Sequence, residues 1–132
     1  MFNIVLVEPE IPQNTGNIGR TALALNAKLH LVKPIAFSLE DKYLKRAGLD
    51  YWEHLDVVVW DSLEQFLSSV PQDKLFFFST RGAARYDKVS YKKGDYLIFG
   101  SESRGLSPDI LNSWKEKTCY IPMPNLLVRS IN

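Results

Sequence analysis

The sequence has one cysteine, Cys119, and two histidines, His30 and His54, among its 132 residues. A single thiol forms no intramolecular disulfide, and this set is too small for a Cys/His zinc centre, so the sequence predicts no metal and a cytoplasmic protein. Long apolar runs are missing as well. The longest, Val57-Val58-Val59-Trp60 and Leu75-Phe76-Phe77-Phe78, fall far short of the roughly 18 residues that cross a bilayer. The apolar start, residues 1–7, has no basic residue ahead of it and runs into Glu8, Pro9 and Glu10, which argues against a signal peptide. Neither sign of charge prevails, because 16 Lys and Arg face 15 Asp and Glu for a net charge of +1. Any contact with nucleic acid must therefore rest on local patches. The fingerprint loops of nucleotide enzymes and serine hydrolases, G-x-G-x-x-G, G-x-x-x-x-G-K-[ST] and G-x-S-x-G, do not occur.

What is present is globular. With 45% hydrophobic and 23% charged residues, and no repeat or low-complexity linker, residues 1–132 read as one domain. Residues 2–7, 29–32, 57–60, 75–79, 96–100 and 119–121 form short apolar runs, too uniformly apolar for a sheet with one wet face. Between them, Ile18, Ala22 and Leu25 fall at i, i+4, i+7, and Leu63, Phe66, Leu67 and Val70 at i, i+3, i+4, i+7, as in amphipathic helices. Asp61 with Glu64 and Ser38 with Asp41 fit capping boxes, Ser107-Pro108 fits an N-cap and first helical residue, and Gly48 fits a helix end. The expected fold is α/β, a mostly parallel sheet with helices on both faces. Residues 81–94, with two glycines and five basic side chains, read as an exposed loop.

Three loops each follow a strand. Asn14-Thr15-Gly16-Asn17-Ile18-Gly19-Arg20-Thr21 opens a helix: either its free N–H groups and Arg20 hold an anion such as phosphate, or Asn14 or Thr15 caps the helix and Arg20 is solvated. Phe99-Gly100-Ser101-Glu102-Ser103-Arg104-Gly105-Leu106 brackets Glu102 with glycines that permit close backbone approach to a ligand. Ile121-Pro122-Met123-Pro124, followed by Arg129-Ser130-Ile131-Asn132, is a stiffened turn ending in polar residues. Ligands of open α/β sheets bind beyond the carboxyl ends of strands, where all three loops could meet.

Taken together and in order, N-x-G-N-I-x-R, F-G-x-E-x-x-G-L and I-P-M…R-S-x-N resemble the motifs of the SPOUT class of RNA methyltransferases over the whole chain. Asp41-Lys42, Leu44 and Arg46-Ala47-Gly48-Leu49-Asp50-Tyr51-Trp52 are similar to its TrmL-type (YibK-like) subgroup. The resemblance implies an α/β-knot fold, with a trefoil knot holding S-adenosylmethionine, and 2′-O-methylation of the wobble nucleotide, position 34 (C or modified U), of tRNA leucine species. It implies Phe78, Gly100, Ile121 and Ser130 as cofactor contacts. Arg20 is implied as the group that activates the ribose hydroxyl, supported by Asn14, Glu102, Ser130 and Asn132. A homodimer with shared active sites is implied too. There are two departures from the subgroup: five residues separate Met123 from Arg129 where it has four, and the sequence stops at Asn132, before the family's C-terminal helix. The expectation is a domain lacking that helix.

Arg81, Arg85 and Lys88, among Lys92, Lys93, Tyr86 and Tyr91, can grip phosphates and stack bases, or simply form a solvated loop. Arg46, with Lys42 and Lys45 on an expected helix, has the same two readings. His30, His54, Trp52, Trp60 and Trp114 are expected in structural roles. Two other functions stay open: a catalytically silent tRNA-binding relative, and a ribose methyltransferase acting on ribosomal RNA.

Overall fold

A computed structural model describes residues 1–38, 42, 46 and 52–122. Its strands include β1 (Asn3–Val7), β2 (Lys28–Val32), β3 (Val57–Trp60), β4 (Leu75–Phe78), β5 (Ala84–Arg85), β6 (Tyr96–Phe99) and β7 (Thr118–Tyr120), and its helices include α1 (Pro12–Ala24), α2 (Leu63–Ser69) and α3 (Pro108–Ser113). The strands form a single sheet in the order β3-β2-β1-β6-β4-β7-β5. Every pair in it is parallel. The chain builds β1, β2 and β3 outward in one direction, then returns to the other side of β1. There β6 inserts between β1 and β4, and β7 between β4 and β5.

Alternation along the strands divides the core in two. Val5, Val7, Val32, Phe77 and Ile98 face one way, against Phe66 of α2 and the partly buried Ile110 and Leu111 of α3. Leu6, Leu29 and Leu31 face the other way, against Ala22 of α1 and against Leu55. Burial on both faces explains the unbroken apolar runs. The expected strands are all present, each displaced by no more than one residue at an end.

The helices differ from expectation in detail. Pro12 occupies the first turn of α1, where its missing N–H costs no helical hydrogen bond. The buried stripe of α1 is Thr15, Gly16, Gly19 and Ala22, whereas Leu25 ends the helix at 69% exposure. Small residues win this face because α1 lies close against its neighbours: a Cβ on Gly19 would come within 3.0 Å of Leu55 and 3.1 Å of the Trp52 ring. In α2 the expected stripe holds, with Phe66 fully buried and Leu63, Leu67 and Val70 packed around it. Its capping box, however, is shifted by one residue. Ser62 Oγ accepts from Gln65 N–H at 3.1 Å, and Gln65 Oε1 accepts from Asp61 N–H at 2.8 Å. Ser62→Ala should therefore cost about 1 kcal/mol in urea denaturation, and unchanged stability would show that the cap carries nothing. Ser107 caps α3 ahead of Pro108, as expected. The residues expected to pair as Ser38 with Asp41, and the stop at Gly48, include positions outside the described residues. The stretch 81–94 is not all loop, since Ala84–Arg85 pairs with β7 at the sheet edge and Tyr86–Lys88 forms a 3-10 turn.

Candidate active site

Because the sheet is parallel, the turns after β1, β4, β6 and β7 leave it at one edge. Beside α1, on the face bearing Ile4 and Leu6, they enclose a cavity of about 540 Å³. Volumes of this order suit a ligand of cofactor size. From α1 come Asn14, Thr15, Asn17, Ile18 and Thr21; from the end of β4 and the turn after it, Phe78, Ser79 and Thr80; from the end of β6 and its loop, Phe99, Gly100 and Glu102; and after β7, Ile121. The Phe78 and Phe99 rings stack at 4.8 Å to form an apolar wall. Tyr91 stands beyond it, 6.4 Å from Phe78 between ring centres.

Each wall is held by backbone pairing at close quarters. Ser79 N–H donates to the Cys119 carbonyl at 2.9 Å, and Ala83 N–H to Thr118 Oγ1 at 2.9 Å, so the turn after β4 is seated on β7. Gly82 lies so near β7 that a Cβ there would collide with the backbone of Cys119 and Tyr120. At Gly100 a Cβ would strike the backbone of Gly105 and Leu106, because the loop folds back on itself through Gly105 N–H to Ser101 O at 2.8 Å. Gly105 has φ +66, a conformation that favours glycine.

Of the residues singled out from sequence, Asn14, Glu102, Phe78, Gly100 and Ile121 line this one cavity. Arg20 lies on α1, exposed and outside the lining. Arg81, Arg85, Lys88 and Arg46 are exposed and also outside it, and Arg85 Nε pairs with Asp87 at 2.9 Å. Ser130 and Asn132 lie outside the described residues. The expected capping by Asn14 or Thr15 is not realised: α1 begins at Pro12 after Ile11 with no side-chain cap on that residue, so Asn14 and Thr15 are within the helix. Just ahead of the helix, the backbone donors of Glu10 and Ile11 are both taken by the Glu102 carboxylate.

Sequence reading missed Glu10, Ser103 and Thr80. Glu10 Oε1 accepts from Ser103 N–H at 2.9 Å and from Ser103 Oγ at 2.7 Å, and these bonds hold the Glu10 carboxyl below the usual carboxylate range. Partners 93 residues apart leave no local signal. Burial pushes the Cys119 thiol up, which suits a packing role rather than a nucleophile. Burial, followed by the proximity of Cys119, also raises the Tyr91 phenol to about 12.

The family model described as the SpoU rRNA methylase family matches residues 1–132, and the chain belongs to that family of methyltransferases. A tRNA (cytidine(34)-2′-O)-methyltransferase from Methylovorus glucosotrophus is 45% identical over 134 residues, covering 100% of this chain and 86% of the relative. A solved structure described as giving insights into the 2-OH methylation of C/U34 on tRNA superposes with a TM-score of 0.89 at 47% identity, over 98% of this chain and 89% of that one. The SpoU methyltransferase AviRb from Streptomyces viridochromogenes, solved with AdoMet, shares the fold at a TM-score of 0.81 and 23% identity, covering 93% of this chain and 49% of its own. The architecture is thus that of the SPOUT methyltransferases, the α/β-knot class. Among the described residues, no helix is long and apolar enough to cross a membrane.

Proposed function

We propose that this chain uses S-adenosylmethionine to methylate the ribose 2′-hydroxyl of the wobble nucleotide, position 34, of tRNA, with tRNA leucine species as substrates. The observation that carries this reading is the meeting of loops from three separate motifs around one cavity, in a chain alike over its whole length to relatives named for that reaction. The cavity fits the cofactor on its own evidence. An aromatic wall offers apolar contact, and Gly100 presents backbone where no side chain has room. Phe78, Gly100 and Ile121 would hold the cofactor, joined by Ser130 on the strength of the motif resemblance.

When bound, S-adenosylmethionine supplies a methyl group already activated by its sulfonium, so the protein mainly has to position an oxygen and manage its proton. The Arg20 guanidinium is an awkward general base, because it offers donors and no acceptor. We assign it to orienting the ribose hydroxyl and the neighbouring phosphate, with the proton passing to phosphate or water. Asn14, Glu102, Ser130 and Asn132 support that arrangement. Because Arg20 is exposed and outside the lining of its own chain's cavity, we place it in the active site of a second copy, in a homodimer. Arg81, Arg85, Lys88 and Arg46 would contact RNA phosphates. The seating of the turn after β4 on β7 supports a trefoil knot, and the reaction suits a cytoplasmic enzyme.

The test is incubation with S-adenosylmethionine and unmodified bulk tRNA, then digestion and mass spectrometry. The expected product is a 2′-O-methylated nucleotide at position 34, reduced at least roughly 100-fold in Arg20→Ala, as for loss of a positioning group. The family's description favours one second reading, a ribosomal RNA substrate. Product in ribosomal RNA but not in tRNA would establish that instead, and product in neither would leave a silent relative.

A further inference from the structure

Three consecutive residues of the loop after β6 each reach across to the turn between β1 and α1. The Glu102 carboxylate accepts from Glu10 N–H at 3.1 and 3.2 Å and from Ile11 N–H at 2.5 Å. Ser103 answers in the opposite direction, donating both its N–H and its hydroxyl to Glu10 Oε1. Arg104 Nη2 lies 3.9 Å from Glu8 Oε1, an exposed and weaker pair. Each loop thus carries a carboxylate whose partners are donors on the other loop. Both loops are braced before they meet. Ser101 and Gly105 bridge at the base of the β6 loop, and Arg104 N–H also donates to Ser101 Oγ at 3.3 Å. On the other side, Glu8 N–H donates to Val32 O at 2.9 Å, while Pro9 is fully buried.

This double contact stands at the cavity wall, because Glu102 lines it together with Asn14 of α1 and Gly100 of the β6 loop. We infer that the reciprocal bonds Glu102 to Glu10 and Ile11, and Ser103 to Glu10, form a clasp that sets the separation of the two motif loops, making Glu10 and Ser103 positioning residues for methyl transfer. The inference rests on the reading of this cavity as the S-adenosylmethionine site. Charge-assisted hydrogen bonds are stronger and shorter than neutral ones, so a carboxylate with several donors fixes distance better than one neutral bond. At a partly wet surface the same bonds add little to global stability. Misplacement of a positioning element by about 1 Å, in contrast, can cost on the order of 100-fold in rate.

The test uses the full chain with Ser103→Ala, Ser103→Thr, Glu10→Ala and the Ser103→Ala/Glu10→Ala double variant. Affinity for S-adenosylhomocysteine is measured by calorimetry, kcat and KM by methyl transfer to tRNA, and folding by thermal melting. Ser103→Ala is expected to weaken S-adenosylhomocysteine binding and lower kcat by roughly 10-fold each, with KM for tRNA and the melting midpoint little changed. Threonine, which keeps the hydroxyl, should restore both. The double variant should be no worse than Glu10→Ala alone, as for two halves of one contact. Unchanged affinity and kcat, fully additive losses, or no rescue by threonine would overturn the clasp. A wild-type chain that binds S-adenosylhomocysteine but methylates no tRNA would reject the tRNA reading and leave the clasp to be judged on affinity. One that binds none would reject the cofactor site and the clasp with it.

Discussion

Gly82→Ala is expected to destabilise the fold by about 3 kcal/mol or more, through overpacking that no side-chain rotation can relieve. The added Cβ would fall on the Cys119 carbonyl carbon and oxygen and on the Tyr120 nitrogen, all of them backbone atoms of β7. Space alone demands glycine here, since Gly82 is not among the glycines with positive φ. Moving the turn would strain the Ser79 and Ala83 hydrogen bonds to β7 and carry Ser79 and Thr80 away from the cavity. Gly94 offers a contrast. It has φ +89, and the nearest atom to an added Cβ is the flexible end of Lys74, so Gly94→Ala should cost only about 1 kcal/mol of backbone strain. Urea denaturation followed by tryptophan fluorescence compares the two. Equal midpoints would show that the turn after β4 does not rest on β7.

Stability should also fall by roughly 3 kcal/mol as the pH drops from about 6.5 to about 4, because of His30. His30 is 3% exposed within β2. Trp60 Nε1–H donates to His30 Nδ1 at 3.0 Å, which leaves the proton on Nε2, 2.9 Å from Asn3 Oδ1. Asn3 is oriented by its amide bond to Gly94 O at 3.3 Å. The neutral ring is therefore satisfied on both sides, and a second proton would point at the Trp60 donor. Burial first, and the charge of Lys28 second, push the His30 pKa down to about 4, against a weaker opposite pull from Asp56. Below about 6.5 the unfolded chain takes up a proton that the native ring refuses until about 4. The contribution is complete above the unfolded value and is lost on acidification through that window. Denaturation at pH 7.5 and pH 5 should differ by roughly 2 kcal/mol in the wild type, and by much less in His30→Gln, which cannot titrate. The same difference in both proteins would remove His30 as the cause.

The periodicity of the strands was legible because burial on both faces leaves an unambiguous apolar signature: the run at Val57–Trp60 coincides with β3 at both ends, and the expected strand 75–79 overruns β4 by one residue. The buried stripe of α1 was not legible. Ile18 and Leu25 mark the expected face, yet close approach to Leu55 and Trp52 selects Gly19, and a stripe of small residues has no hydrophobic period. The box at α2 was displaced by one residue because Asp61 and Ser62 are both good caps and only the geometry chooses between them. At the candidate site, the motif loops could be named from sequence, and Asn14, Gly100, Glu102 and Ile121 from them line one cavity together with Phe78. That Arg20 is not in the lining of its own chain's cavity, and that Glu10 answers Ser103, depend on how distant segments are juxtaposed, which spacing along the chain does not encode.

The strand order also bears on synthesis. A ribosome delivers β1, β2 and β3 first, and those three can pair with one another as soon as residue 60 is free. The flank of β1 that will receive β6, and both flanks of β4, must wait, because their partners come later in the chain: Asn3 pairs with Tyr96, and Phe78 with Cys119. Until then the nascent protein carries open strand edges with apolar side chains, the kind of surface that invites wrong pairing. Pairings so distant along the chain are slow to close. The half of the sheet that holds the cavity is accordingly the last to be assembled.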